Sequence, residues 1–485
     1  MIGNKRPLGL AIVACAVPVF MVSLDNLVVT MALTSIRSDF GGDAASAANL
    51  QWVVNAYILG FAGFLLAGAG LGDRFGRRRV YLGGLVMFTL ASTGCGLASG
   101  LPELIAARAI QGVAAGIIMP LSLTLLSEAV PDKMRSAAVG IWSGISGLGI
   151  AMGPLVGGVV IAGLQWRWIF WVNIPVGLLA IPLVTYALRE SLGDRRPLDL
   201  PGLAFSSGSV VALVWAIVHG NEDGWTSGAV LTAFAAAALL LGLFIVRELR
   251  TPVPMLPLSF YRSRAFVGTN VVSLAMNFGV FGSIFLLAQY LQFAQGLTPL
   301  QAGVRTLAWT LMPMVFAPLA GAFTEKVGGG RLMALGLGLQ ALGLAWIVSI
   351  AEPATPFSSL LVPMMLAGTG MGLVFAPASA VILQSVHAND RGRASGANST
   401  VRELGGALGI AVLASVFSRA GSYASPQTFV DGMRPAVWVG VAVVLAGAVA
   451  GLLIPRRPTP LAADPTPYGA LGSTTDRLVD ARIRS

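Results

Sequence analysis

Charged residues and cysteines are scarce in this sequence. Only 11% of its 485 residues are Asp, Glu, Lys or Arg, whereas 55% are hydrophobic. A soluble globule of this composition could not cover its surface with polar groups, so a soluble protein is excluded. The two cysteines, Cys15 and Cys95, both lie in apolar runs. This excludes a disulfide framework and gives no support for a metal site.

Long apolar runs dominate the composition instead. A helix needs about 20 mostly apolar residues to cross ~30 Å of hydrocarbon. Fourteen segments meet this requirement, near residues 9–31, 50–71, 80–99, 102–125, 137–162, 168–188, 201–219, 228–247, 266–292, 303–324, 332–350, 359–384, 395–418 and 434–454. The sequence therefore predicts an all-α polytopic membrane protein with fourteen transmembrane helices, the first of them an uncleaved helix rather than a signal peptide.

Basic residues are distributed unevenly along this helix map. Most of the 31 Lys and Arg residues fall in alternate loops and at the termini, which the positive-inside rule assigns to the cytoplasm. Only Arg108 and Arg402 lie at membrane depth. The net charge of +10 is thus a topology signal, with both termini cytoplasmic, and it does not call for a nucleic-acid partner. The scarcity of lysine beside arginine favours a GC-rich bacterial genome, and hence a bacterial cytoplasmic membrane.

A charged, glycine-rich turn occurs twice. Residues 68–79 read GAGLGDRFGRRR, and the same spacing of glycine, acid, base and glycine recurs around residues 321–331. Glycines let helix ends approach closely, and arginines anchor a loop at an anionic membrane surface. The residues that we expect to control conformation in the first copy are Asp73, Arg74, Gly76 and Arg77. The pattern recurs in the second copy as Gly321, Glu325, Lys326, Gly328 and Arg331, which indicates an internal duplication.

The two copies follow helices 2 and 10, so eight helices separate them. A six-helix repeat with an inserted pair is the simplest arrangement that gives this spacing. The sequence predicts an N-terminal six-helix bundle over 1–190, a two-helix linker over 191–265, a C-terminal six-helix bundle over 266–455 and a disordered cytoplasmic tail over 456–485, which is rich in proline and small polar residues. A substrate path is then expected between the bundles near the midplane.

The turn resembles the signature loop between helices 2 and 3 of the major facilitator superfamily. It departs from the family pattern at Ala69, where the usual first glycine is replaced, with Gly68 and Gly70 on either side. The resemblance implies the major facilitator fold.

Helix 5 carries a stripe of small residues. Gly149, Gly153 and Gly157 repeat at i, i+4 and i+8, which makes one smooth face for close helix packing. Pro154 removes a backbone hydrogen bond and permits a kink. Such a face serves packing or a hinge, but with Gly140 and Gly158 the pattern is similar to the antiporter motif of drug/proton exchangers in the superfamily. That resemblance implies exchange rather than symport.

Helix 4 places Arg108, Gln111, Gly112 and Ala115 on one stripe. An arginine at this depth costs on the order of 2.5 to 3.5 kcal/mol on insertion scales, so it must face a cavity or an acid. The R-x-x-Q-G run resembles the superfamily motif whose arginine is implicated in proton transfer. A purely structural polar clamp is the alternative.

Helix 1 carries Asp25 and Asn26 in the run SLDNLVVTMAL, which looks like the aspartate motif of the family's first helix. Burial disfavours a charged carboxylate, whereas a nearby Arg108 would favour it. A group balanced in this way can load and release a proton, so Asp25 is our candidate proton carrier. The alternative is an aspartate that fixes helix packing.

Helix 13 resembles a stretch common in fourteen-helix drug exporters. Asn398, Arg402, Gly405 and Gly409 share one face, and Glu403, the next candidate proton carrier, points roughly 100° away. We therefore expect Arg402 and Glu403 to have separate partners. Helix 9 has further polar residues on one face. The candidates for the substrate cavity are Asn26, Gln111, Asn270, Asn277, Gln289 and Arg402. The two histidines, His219 and His387, are expected to be solvated.

No Walker loop occurs in the sequence, so a cofactor such as ATP is not expected and the energy must come from a gradient. We interpret the chain as a monomeric, non-enzymatic proton-coupled antiporter that exports amphipathic small molecules from the cytoplasm of a bacterium. The alternatives are a dedicated exporter of one metabolite or self-made antibiotic, and a non-transporting membrane sensor or scaffold.

Overall fold

A computed structural model describes residues 8–41, 47–192, 199–220, 223–251, 254, 257–386 and 391–456. Fourteen long helices account for nearly all of these residues, and they correspond in order to the fourteen predicted segments. They are α1 Leu8–Phe40, α2 Ala47–Phe75, α3 Arg77–Leu97, α4 Leu101–Ala129, α5 Asp132–Gly163, α6 Trp168–Ala187, α7 Leu200–His219, α8 Gly228–Arg250, α9 Arg264–Ala294, α10 Pro299–Val327, α11 Gly329–Ile350, α12 Phe357–Gln384, α13 Arg391–Ala420 and α14 Pro426–Leu452.

Three of these helices are irregular. α6 is interrupted at Val172 and α10 at Leu311, and α9 ends in the π-helical turn Tyr290–Ala294. A short 3-10 helix, Leu258–Arg262, precedes α9.

Thirteen of the described helices are long and apolar enough to span a membrane. The exception is α2, which has 29 residues but a shorter described apolar stretch, Leu50–Leu65. The prediction of an all-α polytopic membrane protein is confirmed.

The first six and last six helices pack in matching ways. In α1–α6, which we call the N-terminal bundle, α1 packs on α5 and α2 on α4; in α9–α14, the C-terminal bundle, α9 packs on α13 and α10 on α12. The turn between α2 and α3 passes through Gly76 at φ 106° and ψ 120°, and the turn between α10 and α11 passes through Gly328 at φ 96° and ψ 130°. The duplicated sequence thus makes the same left-handed glycine turn twice.

The inserted helices α7 and α8 pack mainly on each other, and α7 also contacts α2 and α13. Most residues of α8 remain exposed, whereas nearly every residue of α9 is buried. α9 is therefore a central helix and α8 a lipid-facing one. The boundaries predicted at 190 and 265 stay a prediction, and the tail from 457 onward lies outside the described residues.

Two pairs of helices make the largest contacts between the bundles, since α5 packs on α10 and α2 packs on α13; α1 makes a smaller contact with α9. We call the two sides of the protein the Phe40 end and the Phe75 end, after the last residues of α1 and α2. At the Phe40 end, Thr34 donates a 2.6 Å hydrogen bond to Gln292. The Arg37 guanidinium also lies 3.6 Å from the centre of the Tyr423 ring. These contacts tie the bundles together on that side.

Candidate functional site

Asp25 and Arg108 form an ion pair in the interior of the N-terminal bundle. Both side chains are fully buried, and a guanidinium nitrogen of Arg108 donates to the carboxylate of Asp25. The same nitrogen reaches the Gln111 side-chain oxygen at 2.8 Å, and Arg108 Nε donates to the Val53 carbonyl at 3.1 Å. Arg108 Nη2, although buried, has no hydrogen-bond partner. The pairing of these two predicted residues follows from α1 and α4 lying side by side.

Neutral side chains complete the surroundings of the carboxylate. Gln111 and Asn173 each donate to Asp25 Oδ1 at 3.1 Å. Both amides also donate to Ser92 Oγ, at 2.7 and 3.1 Å. Asp25 therefore sits in a network contributed by α1, α3, α4 and α6. Gln111 is part of this network rather than a wall of an open cavity.

Aromatic rings enclose the charged pair. The Arg108 guanidinium lies 4.2 Å from the centre of the Tyr57 ring and 5.7 Å from that of Phe170, within range of a cation–π interaction. Tyr57 is brought there by Gly112, because any side chain at Gly112 would overlap the Tyr57 backbone. The glycine of the R-x-x-Q-G run thus holds α2 close to the arginine of the same run.

The glycine stripe of α5 packs against α1, as its spacing predicted. A methyl group at Gly149 would lie 2.8 Å from the Phe20 carbonyl oxygen, and one at Gly157 would lie 2.8 Å from that of Val28. Gly153 faces Leu24 and Leu27 between them. The stripe therefore follows the segment of α1 that contains Asp25.

A second face of α5 packs against α10 of the opposite bundle, and we call this α5–α10 contact the seam. A methyl group at Gly158 would lie 2.5 Å from the Pro299 carbonyl oxygen of α10. The Pro154 carbonyl lies against Gly303 of the same helix. One helix thus contacts both α1, which carries Asp25, and the opposite bundle. Gly140 lies in α5 as predicted, but outside the part with described surroundings.

The first charged turn is held by the predicted Asp73 and by two acids that the sequence motifs did not indicate, Glu128 and Glu190. Arg77 pairs with Asp73 at 2.7 Å and also with Glu128 at the end of α4. Glu128 in turn accepts a 2.5 Å hydrogen bond from Ser191. Asp73 therefore holds an arginine of its own turn. Arg74 is exposed, beside the Phe75 ring.

Glu190, just after α6, also binds this turn, at the start of α3. Its carboxylate accepts hydrogen bonds from the backbone N–H groups of Arg78 at 3.0 Å and Arg79 at 3.2 Å, at the start of α3. A carboxylate is favourable there because the N-terminus of a helix carries partial positive charge. Gly76 lies against this carboxylate, because a Cβ at that position would be 2.9 Å from it. The sequence signal that could have indicated Glu190 is its position, since it is an acidic residue just after the predicted end of helix 6.

Glu403 and Arg402 of α13 pair with each other. Arg402 Nη2 lies 3.5 Å from Glu403 Oε1, so the expectation of separate partners was wrong: the long arginine side chain reaches back to its neighbour. Glu403 is buried, and its second oxygen has no hydrogen-bond partner. Tyr57 lies within electrostatic range of Asp25, Arg108 and Glu403. Tyr57 is therefore near both the pair in the N-terminal bundle and the acid in the C-terminal one.

The other cavity candidates divide into two groups. Asn270 accepts a 3.1 Å hydrogen bond from Asn398 of α13, and Gln289 accepts one from Tyr423 in the α13–α14 connection, so both make contacts within the C-terminal bundle. Asn26 and Asn277 are buried with side-chain oxygens that have no hydrogen-bond partner. The latter two are thus the ones with hydrogen-bonding capacity left for a ligand.

Of the two histidines, His219 stacks on Trp215 with ring centres 4.2 Å apart, at the end of α7. His387 lies outside the described residues.

Two bundles that meet along paired helices, with a buried ion pair inside one of them, are the architecture of a membrane transporter. The family model of the Major Facilitator Superfamily matches residues 14–285 and 266–479. The chain therefore belongs to the Major Facilitator Superfamily, as the sequence motifs predicted.

The relatives and structures agree with this membership. The multidrug resistance protein Stp of Mycobacterium tuberculosis is 35% identical over 84% of this chain and 76% of its own. The methylenomycin A resistance protein of Streptomyces coelicolor is 33% identical over 94% of both chains. A D-xylose-proton symporter structure has a TM-score of 0.68 at 15% identity and covers 93% of this chain and 99% of its own, which shows the shared fold. The predicted resemblance to drug efflux transporters is thereby confirmed.

Proposed function

We propose that this protein exports amphipathic drugs or antibiotics in exchange for protons, by alternating access, across the cytoplasmic membrane of a bacterium. The observation that carries the proposal is the buried Asp25–Arg108 pair, whose aspartate lies on α1, the helix that packs along the glycine stripe of α5. A buried ionisable residue in a membrane span is a functional candidate by default, because its insertion is costly. The relatives named as multidrug and antibiotic resistance proteins support export.

Asp25 is the proposed proton carrier. Its carboxylate accepts hydrogen bonds from three donors, Arg108, Gln111 and Asn173. Proton uptake would end the ion pair and leave Arg108 as an uncompensated buried charge, which is strongly unfavourable. Arg108 would then turn further toward Tyr57 and the bundle interface. Protonation thereby changes the packing of α1 rather than only its charge.

The glycine contacts convert this change into movement between the bundles. α5 touches α1 through Gly149, Gly153 and Gly157, and touches α10 through Gly158 and Pro154. A shift of α1 is therefore transmitted to the seam with the C-terminal bundle. The positive-inside rule assigns the Phe40 end to the outside and both termini to the cytoplasm. The closed contacts at the Phe40 end would then belong to the state that is shut to the outside.

Glu403 is the proposed second acidic group. It is buried in α13 of the other bundle, where Arg402 pairs with one of its oxygens and the second has no hydrogen-bond partner among the described residues. Asn26 and Asn277 have unpartnered oxygens on α1 and α9, the helices that meet between the bundles. We place the substrate path among these groups. Each proton that enters through a 100 mV potential would supply about 2.3 kcal/mol for export.

A dedicated exporter of one antibiotic is the second candidate. It is favoured by relatives whose names specify one compound, such as the tetracenomycin C resistance and export protein of Streptomyces glaucescens, 32% identical over 88% of this chain and 79% of its own. The same residues would serve either function. A broad panel of inhibitors tested for growth protection separates them, because a dedicated exporter protects against one compound class.

The deciding experiment follows protons in proteoliposomes that are acidic inside. An internal pH dye reports proton efflux while amphipathic cations, neutral drugs and anionic drugs are added outside. Wild type is compared with Asp25→Asn and with the matched control Glu103→Gln, which removes an exposed carboxylate of α4. We expect at least one compound class to trigger efflux in wild type and in the control, and none to do so in Asp25→Asn.

The other outcomes discriminate between the parts of the proposal. Equal proton efflux in wild type and Asp25→Asn would support antiport but show that Asp25 is not the proton carrier. Glu403 would then be the next candidate carrier, and Glu403→Gln would test it. Substrate uptake without proton movement would reject proton coupling. If folded wild type shows neither substrate uptake nor proton movement with any compound, the result would favour the sensor or scaffold alternative.

A further inference from the structure

A cavity of about 220 Å³ lies between the bundles, beside the inserted helix pair. Its wall is formed by α2, α7, α8, α13 and Tyr261 before α9, and includes Gly63, Ser207 and Val401. Ser207 lies early in α7 and Val401 early in α13, and both helices begin at the Phe75 end. The cavity therefore occupies the half of the membrane domain nearer the Phe75 end.

Both bundles contribute to this wall. Thr400 of α13 approaches the Ala62 carbonyl of α2 at 3.4 Å, so the cavity borders one of the two largest contacts between the bundles. α7 approaches α2 at Gly63, where a methyl group would lie 2.6 Å from Ser207 Oγ. The inserted pair α7 and α8 thus covers the α2–α13 contact from the membrane side and leaves the cavity between them.

The lining is apolar and hydroxylic, without a charged side chain. Three of its hydroxyls are already bound to carbonyls: Ser206 to Leu203, Ser209 to Ala237 and Thr400 to Ala62. The buried Ser207 Oγ has no hydrogen-bond partner. A buried hydroxyl without a partner costs free energy, and a ligand with a hydrogen-bonding group would recover it. The wall therefore suits an uncharged molecule with an apolar chain and one hydrogen-bonding group.

We propose that this cavity binds a small uncharged amphiphile, which reaches it from the membrane and holds the bundles in the conformation described. The volume is below the ~300 Å³ at which drug-sized pockets begin, so the ligand is smaller than an ordinary drug. Because the ligand touches α2 and α13 together, it binds tightly only when these helices are close. Such differential affinity shifts the population toward this conformation and slows exchange. The site is separate from the Asp25 network.

The test uses a photoactivatable octanol that carries a diazirine, with the corresponding octane as a second probe. The full-length protein is labelled in detergent and in lipid vesicles, and the modified peptides are identified by mass spectrometry. We expect octanol to label α2, α7 and α13 at the cavity. Ser207→Ala should lower octanol labelling about tenfold and leave octane labelling unchanged. Ser206→Ala is the matched control, because the Ser206 hydroxyl is already satisfied.

A second variant tests the space rather than the hydroxyl. Val401→Phe fills the cavity from the C-terminal bundle, and we expect it to lower labelling by both probes severalfold. Size-exclusion elution and the apparent unfolding temperature verify that each variant is folded. Labelling that falls elsewhere, or that neither Ser207→Ala nor Val401→Phe reduces, overturns the proposal. Labelling that appears only after delipidation also overturns it, because a phospholipid chain would then be the occupant. None of these readouts depends on transport.

Discussion

Gly303 of α10 lies against the carbonyl group of Pro154 in α5, with no room for a side chain between them. This is a contact across the seam, since α5 belongs to the N-terminal bundle and α10 to the C-terminal one. Proline cannot donate a backbone hydrogen bond, and the missing Cβ of Gly303 is what permits the approach. The Pro154 motif is therefore part of the closure at the Phe40 end as well as a place where α5 can bend.

The first prediction concerns this contact. Gly303→Val forces the seam apart, at an overpacking cost of typically ~1–3 kcal/mol, which changes the ratio of two conformations by about fivefold or more. We expect a longer distance between spin labels at Ser38 and Ala424, both exposed at the Phe40 end, measured by pulsed electron paramagnetic resonance. Both free cysteines are first replaced by alanine.

Gly338→Val is the control for that experiment. A methyl group at Gly338, on α11, meets nothing within 4 Å. Its distance distribution should match that of the parent protein. If Gly303→Val gives the same distribution too, the seam does not control closure.

The second prediction separates the glycine stripe from other glycines of α5. A methyl group at Gly153 would lie 3.1 Å from the Leu24 carbonyl oxygen and 3.1 Å from Leu27 Cβ, whereas one at Gly147 meets nothing within 4 Å. We expect Gly153→Val to lower the apparent unfolding temperature and to reduce proton-coupled efflux severalfold, because α1 must move away from α5. Gly147→Val should change neither quantity, and equal losses in both variants would contradict a specific α1 contact.

Much of this architecture is readable from the sequence because its causes are local. Apolar runs of membrane length gave fourteen helices in the right order, and each duplicated turn contains a glycine that adopts positive φ, at Gly76 and Gly328. The spacing of Gly149, Gly153 and Gly157 correctly indicated a close helix contact. The motifs on helices 1 and 4 indicated Asp25 and Arg108.

The remainder depends on packing between distant segments. Asn173 and Ser92 meet Asp25 because α6 and α3 lie beside α1, and neither residue belongs to a recognisable pattern. The expectation for Arg402 and Glu403 was wrong because it considered helix faces and not the reach of an arginine side chain. Helical periodicity gives the direction in which a side chain leaves the helix, but not where a long side chain ends.

The third prediction concerns the Glu190 carboxylate at the first charged turn. Glu190→Gln removes the charge that accepts from the N–H groups of Arg78 and Arg79, and we expect a loss of ~0.5–2 kcal/mol in stability, typical of a lost helix N-cap. The decrease should appear in the unfolding temperature at low salt and become smaller at high salt. Glu325→Gln, an exposed acid in the second copy of the turn, is the control. A loss independent of salt would exclude the electrostatic explanation.

The fourth prediction tests whether the buried pair serves stability, coupling or both. Asp25→Asn and Arg108→Gln each leave one charge buried without its partner, and breaking a buried pair in this way costs ~3–5 kcal/mol. The double variant removes both charges, so we expect it to recover most of the stability that either single variant loses, as a double-mutant cycle measures. Asp39 and Arg167 form a 2.6 Å pair that is partly exposed, and the same cycle there should give a coupling within ~1 kcal/mol.

Transport by the double variant then decides the role of Asp25. If the pair serves only packing, a stable double variant should still exchange substrate for protons at nearly the wild-type rate. If Asp25 carries the proton, the double variant should fold normally and yet show no substrate-triggered proton movement in the internal pH-dye assay. We expect the second result, because the amide that Asp25→Asn introduces could replace hydrogen bonds of the network but could not load and release a proton.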